Sequence, residues 1–267
     1  MSLHPYAEAE RIALAAGDLA LSHFGRLSEI PVESKGHLDL VTEADKAVEA
    51  FLIGALHAAY PEDGIFGEEG ADIAGSSGRV WVIDPIDGTF NFVRGGDQWG
   101  VSVGLYENGK PQFGILRFPV RAETYVGGKG FGAWLNGQPL KPARPLDASR
   151  ASVALGFHPA VPMEMRLRTL DFLMGEARLV MRCCGSCIAS LMELARGQTD
   201  GYVGTGESSW DLMAALPIVE ALGFVSTVDW SKTDLTSSFR LAVGRPEFLQ
   251  LVEPLVPYGT ELTLAKH

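Results

Sequence analysis

The sequence predicts a layered α/β protein, and three observations carry that expectation. Two early segments keep an apolar period of 3.6, the middle of the chain alternates with period 2 between turn-forming dipeptides, and the last third interleaves helical and extended stretches. Such a mixture buries its apolar faces by stacking helices on sheets.

The elements follow in order. Residues 6–24 read as an amphipathic helix, with Ile12, Ala15, Ala16 and Leu19 on one face. A second helix runs from Ala44 through Val48, Phe51, Leu52, Ala55 and Leu56 to Ala59, with Thr42 as its N-cap and Pro61 beyond its end. Trp81-Val82-Ile83 reads as a buried strand that stops at Asp84-Pro85, because the residue before proline is pushed out of the helical region. Val101, Val103 and Leu105 alternate, Asn108-Gly109 supplies a hairpin turn, and Phe113, Ile115 and residues 124–126 continue an antiparallel meander closed by Asn136-Gly137. The prolines and polar residues of 139–150 read as a connection, dividing the chain into an N-terminal half, 1–145, and a C-terminal half, 146–267. In the second half, 178–182 reads as a strand, 186–196 as a helix capped by Gly197, 211–222 as a helix bent by Pro217 and ended by Gly223, and 239–243 as a strand.

Composition narrows the function classes. At 267 residues, 46% hydrophobic and 21% charged, the chain reads as a soluble globular protein. A formal charge of −11 without clustered Lys and Arg argues against a nucleic-acid partner. Glu8, Glu10, Arg11 and Asp18 interrupt the opening apolar segment, so it reads as neither a signal peptide nor a membrane span. Cys183, Cys184 and Cys187 crowd together and cannot staple distant loops, which fits a reducing cytoplasm. No His pair stands at i, i+4, against a zinc hydrolase, and no Gly-rich loop precedes Lys-Ser or Lys-Thr, against a nucleoside-triphosphate engine.

The chemistry concentrates in Asp84-Pro85-Ile86-Asp87-Gly88-Thr89. Two carboxylates three residues apart, on a proline-stiffened turn after a buried strand, can face one space, with the Ile86 carbonyl as a third oxygen. These are hard ligands, suited to Mg²⁺. Gly67-Glu68-Glu69 offers further acids at another strand end. The blander alternative is that Asp-Pro and Asp-Gly simply turn the chain.

Gly67-Glu68-Glu69, the run from Trp81 to Phe92 and Trp210-Asp211-Leu212-Met213-Ala214 resemble the signature blocks of the inositol monophosphatase family, in its order and spacing. The resemblance extends from the segment Asp39 to Asp45 as far as Gly223. It implies an α-β-α-β-α sandwich, the architecture shared with fructose-1,6-bisphosphatase, and a homodimer that hydrolyses a small phosphorylated metabolite. It further implies Mg²⁺ in two or three sites, held by Glu68, Asp84, the Ile86 carbonyl, Asp87 and Asp211, and lithium inhibition. Glu68, Thr89 and Asp45 would serve catalysis, the last two by orienting the attacking water. Two of these residues keep a second reading: Thr42-x-x-Asp45 has the spacing of a capping box, and Asp211 at a helix start can serve as a dipole partner.

The resemblance places substrate contacts at Gly88, Thr89, Gly185, Ser186 and Cys187. The alternatives for Cys184-x-x-Cys187 are a redox or metal pair and, for Ser186, a helix cap. Lys35 would stand near the metals, although Lys35 and Asp39 are one residue closer than the family spacing. Inositol-specific relatives carry Glu seven residues before the last metal-binding Asp, where this chain has Gly204. Glu207 either reaches in from three residues on or is a solvated loop acid. The substrate is therefore expected to be inositol 1-phosphate or a range of polyol and sugar phosphates, then histidinol phosphate, with fructose 1,6-bisphosphate and 3′-phosphoadenosine 5′-phosphate behind them. A regulatory binding protein on the same fold is the alternative of another class.

Overall fold

The computed structural model describes residues 4–27, 32–36, 39–142 and 144–256, with the backbone alone described at 32, 34–36, 39 and 40. Helices α1 (Ala7–Phe24) and α2 (Glu43–Ala59) form where the 3.6 period places them and are joined through a small antiparallel hairpin, β1 (Val32–Gly36) and β2 (Asp39–Thr42). Thr42 caps α2, accepting from the Ala44 N–H at 3.1 Å.

The first large sheet contains β3 (Gly64–Gly67), β4 (Asp72–Ile73), β5 (Arg79–Asp87), β6 (Gly100–Glu107), β7 (Lys110–Phe118), β8 (Glu123–Gly128), β9 (Gly132–Leu135) and β10 (Gln138–Pro139). The short helix α3 (Thr89–Val93) follows β5. The strand order is β10-β9-β8-β7-β6-β5-β3-β4, antiparallel except for β3 beside β5. Asn108 and Gly109 both have positive φ, as do Asn136 and Gly137, so both expected hairpin turns form. One boundary differs: β5 does not stop at Asp84-Pro85 but runs on to Asp87. The register against β6 shifts between Asp84 and Asp87, and this irregularity accommodates a proline that has no N–H for the ladder.

Beyond the connection come β11 (Ser152–Phe157), α4 (Met163–Asp171) with a π-turn continuation at Phe172–Glu176, β12 (Val180–Arg182), α5 (Cys187–Ala195) and β13 (Gly201–Glu207). The chain continues with α6 (Ser209–Leu212), α7 (Ala215–Glu220), β14 (Val225–Ser226), β15 (Phe239–Gly244) and α8 (Pro246–Val252). The second sheet has the order β12-β11-β13-β15-β14. Elements β11, α4, β13 and α8 go beyond the sequence expectation, and the helix expected over 211–222 is two short helices broken around Met213 and Ala214. Pro217 has no N–H to offer the Met213 carbonyl four residues earlier, so a continuous helix would lack a hydrogen bond there.

Three cores separate five layers. Ile12, Ala16, Val48 and Leu52 of α1 and α2 pack on Trp81, Val103 and Ile115 of the first sheet. On its other face Leu116, Phe118 and Tyr125 meet Ile188, Leu191, Leu216 and Val219 of α5 and α7, which also cover Tyr202 and Leu241 of the second sheet. Val153, Val203 and Ala242 on the outer face of that sheet pack against Leu173, Phe248 and Val252. The layering is the expected α-β-α-β-α sandwich. Gly104 and Gly114, paired across β6 and β7, form a notch for the 213–214 backbone: a Cβ on Gly104 would stand 2.6 Å from the Met213 carbonyl carbon, and one on Gly114 would overlap the Ala214 carbonyl oxygen.

Candidate active site

The parallel pairing of β3 with β5 sets Gly67 beside Ile83, so Glu68, just past the end of β3, comes level with Asp84 inside β5. Their side chains are hydrogen-bonded. Glu49 on α2, buried in line with the apolar face, accepts from the N–H groups of Glu69 at 2.8 Å and Ala71 at 3.0 Å and so holds the turn that presents Glu68. The sequence analysis missed Glu49, although a charged residue in phase with Asp45, Leu52 and Leu56 is a readable signal.

Asp84 is 1% exposed, and its Oδ1 is buried without a hydrogen-bond partner among the described residues. Burial pushes its carboxyl well above the ordinary range, and the charges of Glu68, Asp87 and Asp211 push it further. Asp87 accepts from the Ile188 N–H at 2.6 Å, the Cys187 N–H at 3.2 Å and the Ser186 hydroxyl at 3.2 Å. Burial nonetheless raises its carboxyl to about 6, against the lowering effect of those donors. Asp211 accepts from the Ser208 N–H at 2.6 Å and is raised well above the ordinary range by burial and then by Glu207 and Asp87.

Two residues with competing readings both hold helix starts, and both also act on neighbouring groups of the acidic cluster. Asp45 is fully buried; its Oδ2 accepts from the Thr42 N–H at 2.8 Å and the Thr42 hydroxyl at 2.5 Å, completing the capping box. Its Oδ1 stands 3.2 Å from the Thr89 hydroxyl, which also lies 3.0 Å from the Ile86 carbonyl. One hydroxyl hydrogen serves one of these acceptors at a time. When it points to Asp45, the Thr89 lone pairs and the Ile86 carbonyl are both available to other groups. Burial raises the Asp45 carboxyl, opposed by the Thr42 donors. Asp211 likewise binds the start of α6 through Oδ2 while its charge acts on Asp84.

Gly88 takes φ +87°, where a Cβ would stand 2.7 Å from the Gln98 carbonyl oxygen. Gly185 has φ +76°, and Ser186 caps α5 by accepting from the Ala189 N–H at 3.1 Å. Ser186 and Cys187 are therefore brought to the site as donors to Asp87. Lys35 lies in β1, but its side chain is outside the described residues.

Glu207 corrects the loop-acid alternative: it ends β13 and is buried. Gly206, at φ +88°, is the extra residue where the register against β15 shifts, and it turns Glu207 to the face of Tyr202 and Gly204. The Tyr202 hydroxyl donates to Glu207 Oε1 at 2.5 Å. Glycine makes the room: a Cβ on Gly204 would stand 2.8 Å from Glu207 Cγ, and one on Gly156, its neighbour across β11, would overlap Oε1. Burial raises the Glu207 carboxyl to about 7, the Tyr202 hydroxyl lowers it, and Asp87 raises it.

Among the described residues, no three His, Cys, Asp or Glu side chains form a ready-made metal cage. The donor chemistry nevertheless suits a hard cation: the atoms that meet here are carboxylate and carbonyl oxygens, one of them a buried Asp84 oxygen without a partner, and their like charges oppose one another. Size alone does not mark the site, since a groove of about 1070 Å³ runs along the 138–150 connection and includes none of these residues.

A model of the inositol monophosphatase family matches residues 2–252. The chain is 34% identical over 245 residues to a protein of Xylella fastidiosa named Nus factor SuhB, covering 91% of this chain and 86% of that one. It is 36% identical over 212 residues to a histidinol-phosphatase of Chlorobaculum parvum, covering 79% and 81%. Among solved structures, the extragenic suppressor protein suhB of Bartonella henselae superposes with a TM-score of 0.83 at 26% identity, covering 92% of this chain and 96% of the other. An inositol monophosphatase from Anabaena superposes with a TM-score of 0.76 at 25% identity, covering 96% of each.

Proposed function

The chain belongs to the inositol monophosphatase family, and from that premise we propose that it is a Mg²⁺-dependent phosphomonoesterase acting on a small polyol or sugar phosphate, inositol 1-phosphate first. The observation that supports this reading is the meeting of Glu68, Asp84, Asp87 and Asp211, from three separate stretches of chain, in one electrostatically linked cluster.

Glu68, Asp84, the Ile86 carbonyl, Asp87 and Asp211 would hold two or three Mg²⁺ ions. Bound Mg²⁺ would supply Lewis-acid activation of water and neutralise the charge of the phosphate. Thr89, donating to Asp45, keeps its lone pairs for a water hydrogen and so aims that water in line with the ester bond. Asp45 is the base behind it, and its raised carboxyl is suited to taking a proton. Gly88 gives the turn that brings Thr89 to both Asp45 and Ile86. Ser186 and Cys187 orient Asp87 through the bonds described, while Gly185, Glu207 and Lys35 remain proposed contacts for the organic part of the substrate.

Released phosphate measured with and without Mg²⁺ and Li⁺ on inositol 1-phosphate, histidinol phosphate, fructose 1,6-bisphosphate and 3′-phosphoadenosine 5′-phosphate tests the reading. Expected are Mg²⁺-dependent, Li⁺-inhibited turnover and preference for inositol 1-phosphate. No phosphate from any of the four would leave the regulatory alternative, which the name Nus factor SuhB of several relatives favours. The net charge of −11 argues against direct binding of an RNA backbone in such a role.

The position of Glu207 favours histidinol phosphate as the second reading, as does the named histidinol-phosphatase relative. A buried carboxylate can pair with the protonated amine of histidinol, whereas a polyol needs only a hydrogen-bond acceptor. Glu207→Gln keeps an acceptor for Tyr202 but loses the charge. Loss of one charge-assisted hydrogen bond, about 1.5–3 kcal/mol, predicts a KM for histidinol phosphate raised roughly 10-fold or more, with inositol 1-phosphate changed by less than about 3-fold. Equal effects on both would remove the charge argument.

We propose a homodimer as well. Met163, Leu167 and Met174 project from α4 and its continuation at 64%, 57% and 62% exposure, and Val180 on the edge strand β12 at 65%. Exposed apolar side chains of this size are of the kind that a second copy of the chain can cover. Sedimentation equilibrium is expected to give twice the chain mass, and a monomer across the accessible concentration range would refute the dimer. The three free cysteines favour a cytoplasmic setting, and among the described residues no helix is long and apolar enough to cross a membrane.

A further inference from the structure

The outer face of the second sheet carries polar groups that the phosphatase reading does not use. Strands β13 and β15 pair antiparallel with Val203 opposite Ala242 and Thr205 opposite Arg240. Val203 and Ala242 belong to the outer core, so strand alternation turns Thr205 and Arg240 to that same outer side, away from Tyr202, Gly204 and Glu207. The sheet itself separates them from the carboxylate cluster.

Thr205 is 0% exposed, and among the described residues its Oγ1 has no hydrogen-bond partner. Arg240 Nε is buried and also lacks a partner among the described residues, as does Ser238 Oγ two residues before it. Buried polar atoms are nearly always satisfied, so three orphans, on β13, on β15 and just before β15, leave room for a partner from outside the described residues. The charge environment says which kind. Burial and the nearby charge of Arg168, on α4, both hold the Arg240 guanidinium below its ordinary range. Arg168 is exposed and Arg240 half-buried, so the pair is open to solvent.

We propose that Arg240, Arg168, Thr205 and Ser238 form a binding site for a small tetrahedral oxyanion, an inorganic phosphate or the phosphoryl end of a metabolite, on the face of the second sheet opposite the active site. Two guanidinium groups supply paired donors and charge, the arrangement that suits phosphate oxygens, and the two hydroxyls supply short donors beneath them. The site differs from the catalytic one in needing no metal, because its protein groups are cationic.

That difference makes the test. In EDTA the carboxylate cluster repels anions, so an anion bound there must use other groups. Sulfate and phosphate are titrated into the metal-free protein at constant ionic strength, with calorimetry and thermal unfolding as readouts; glycerol phosphate in a third arm separates a phosphoryl ester from the free ion. Expected is saturable binding of one anion per chain with a matching rise in unfolding temperature, retained in Asp84→Asn and lost in Arg240→Gln. Arg168→Gln, at an exposed position, must also weaken binding at least about 10-fold, the loss of one charge-assisted bond, and it decides the matter should Arg240→Gln not fold. A non-saturating response, or binding unchanged in Arg168→Gln, overturns the site. Binding of free phosphate and sulfate but not of the ester limits it to inorganic ions.

Discussion

Asp84→Asn is expected to eliminate Mg²⁺-dependent phosphate release while raising the unfolding temperature of the metal-free protein. Both effects come from one charge. Asp84 is buried, one of its oxygens has no partner, and Glu68, Asp87 and Asp211 all repel it. Without a cation this carboxylate is a liability to the fold, and asparagine, of nearly the same shape, removes it. Residues one shell outside a metal cost about 10–100-fold when mutated, so a direct ligand should cost at least about 100-fold in turnover. The stability gain is on the order of 1 kcal/mol, about 2–4 °C for a chain of this size.

The pH dependence of the metal-free protein carries the same signature. A carboxyl whose folded pKa lies above its unfolded value contributes stability that is fully present below the unfolded value and lost as pH rises through the folded one. Asp87, raised to about 6, and Glu207, raised to about 7, therefore predict a fall in unfolding temperature from about pH 4 to pH 7 in EDTA. Mg²⁺ should reverse the fall, and Asp84→Asn should make it shallower. Differential scanning calorimetry over this range, beside a phosphate-release assay, checks all three. Wild-type turnover in the variant, or a lower melting temperature in EDTA, would contradict the account.

Gly114→Ala is expected to be the most destabilising single-methyl change in the protein. The added carbon would overlap the Ala214 carbonyl oxygen, and the obstacle is backbone with no rotamer to yield. Gly104, beside it on β6, meets the same segment, so the chain at 213–214 cannot shift sideways. Overpacking against fixed backbone should cost more than about 3 kcal/mol, roughly 6–12 °C in melting temperature. The fraction that folds should bind Mg²⁺ more weakly, because the displaced segment carries Asp211 two residues upstream. Gly54→Ala in α2 is the control: nothing lies within 4 Å of the added carbon, and the helix should gain up to about 1 kcal/mol. Equal melting temperatures for Gly114→Ala and wild type would show that the notch is not a constraint.

Local spacing made much of this molecule readable. Helices α1 and α2, the meander from β6 to β8 and both Asn-Gly turns follow from periodicity and turn chemistry within a few residues. Strand β13 escaped because Gly201, Gly204 and Gly206 dilute its alternation, although all three make room for a neighbour or a bulge. The helix expected over 211–222 broke where Gly104 and Gly114 receive the chain, a contact a hundred residues away in sequence. Glu49 was passed over because its partners, the Glu69 and Ala71 N–H groups, lie on another element.

By itself the sequence determined the family and the acidic turn, since both reside in short strings whose residue types and order carry the information. Tertiary structure alone decided how each carboxylate is used. Asp45 and Asp211 have two oxygens each, and only folding shows that one of each holds a helix start, that the other Asp45 oxygen meets Thr89 and that the Asp211 charge acts on Asp84. A single extra residue at Gly206 put Glu207 inside and left Thr205 facing outward with Arg240. These outcomes depend on which distant charges and backbone groups arrive at the same place, and burial, which sets their energies, exists only after the layers have closed.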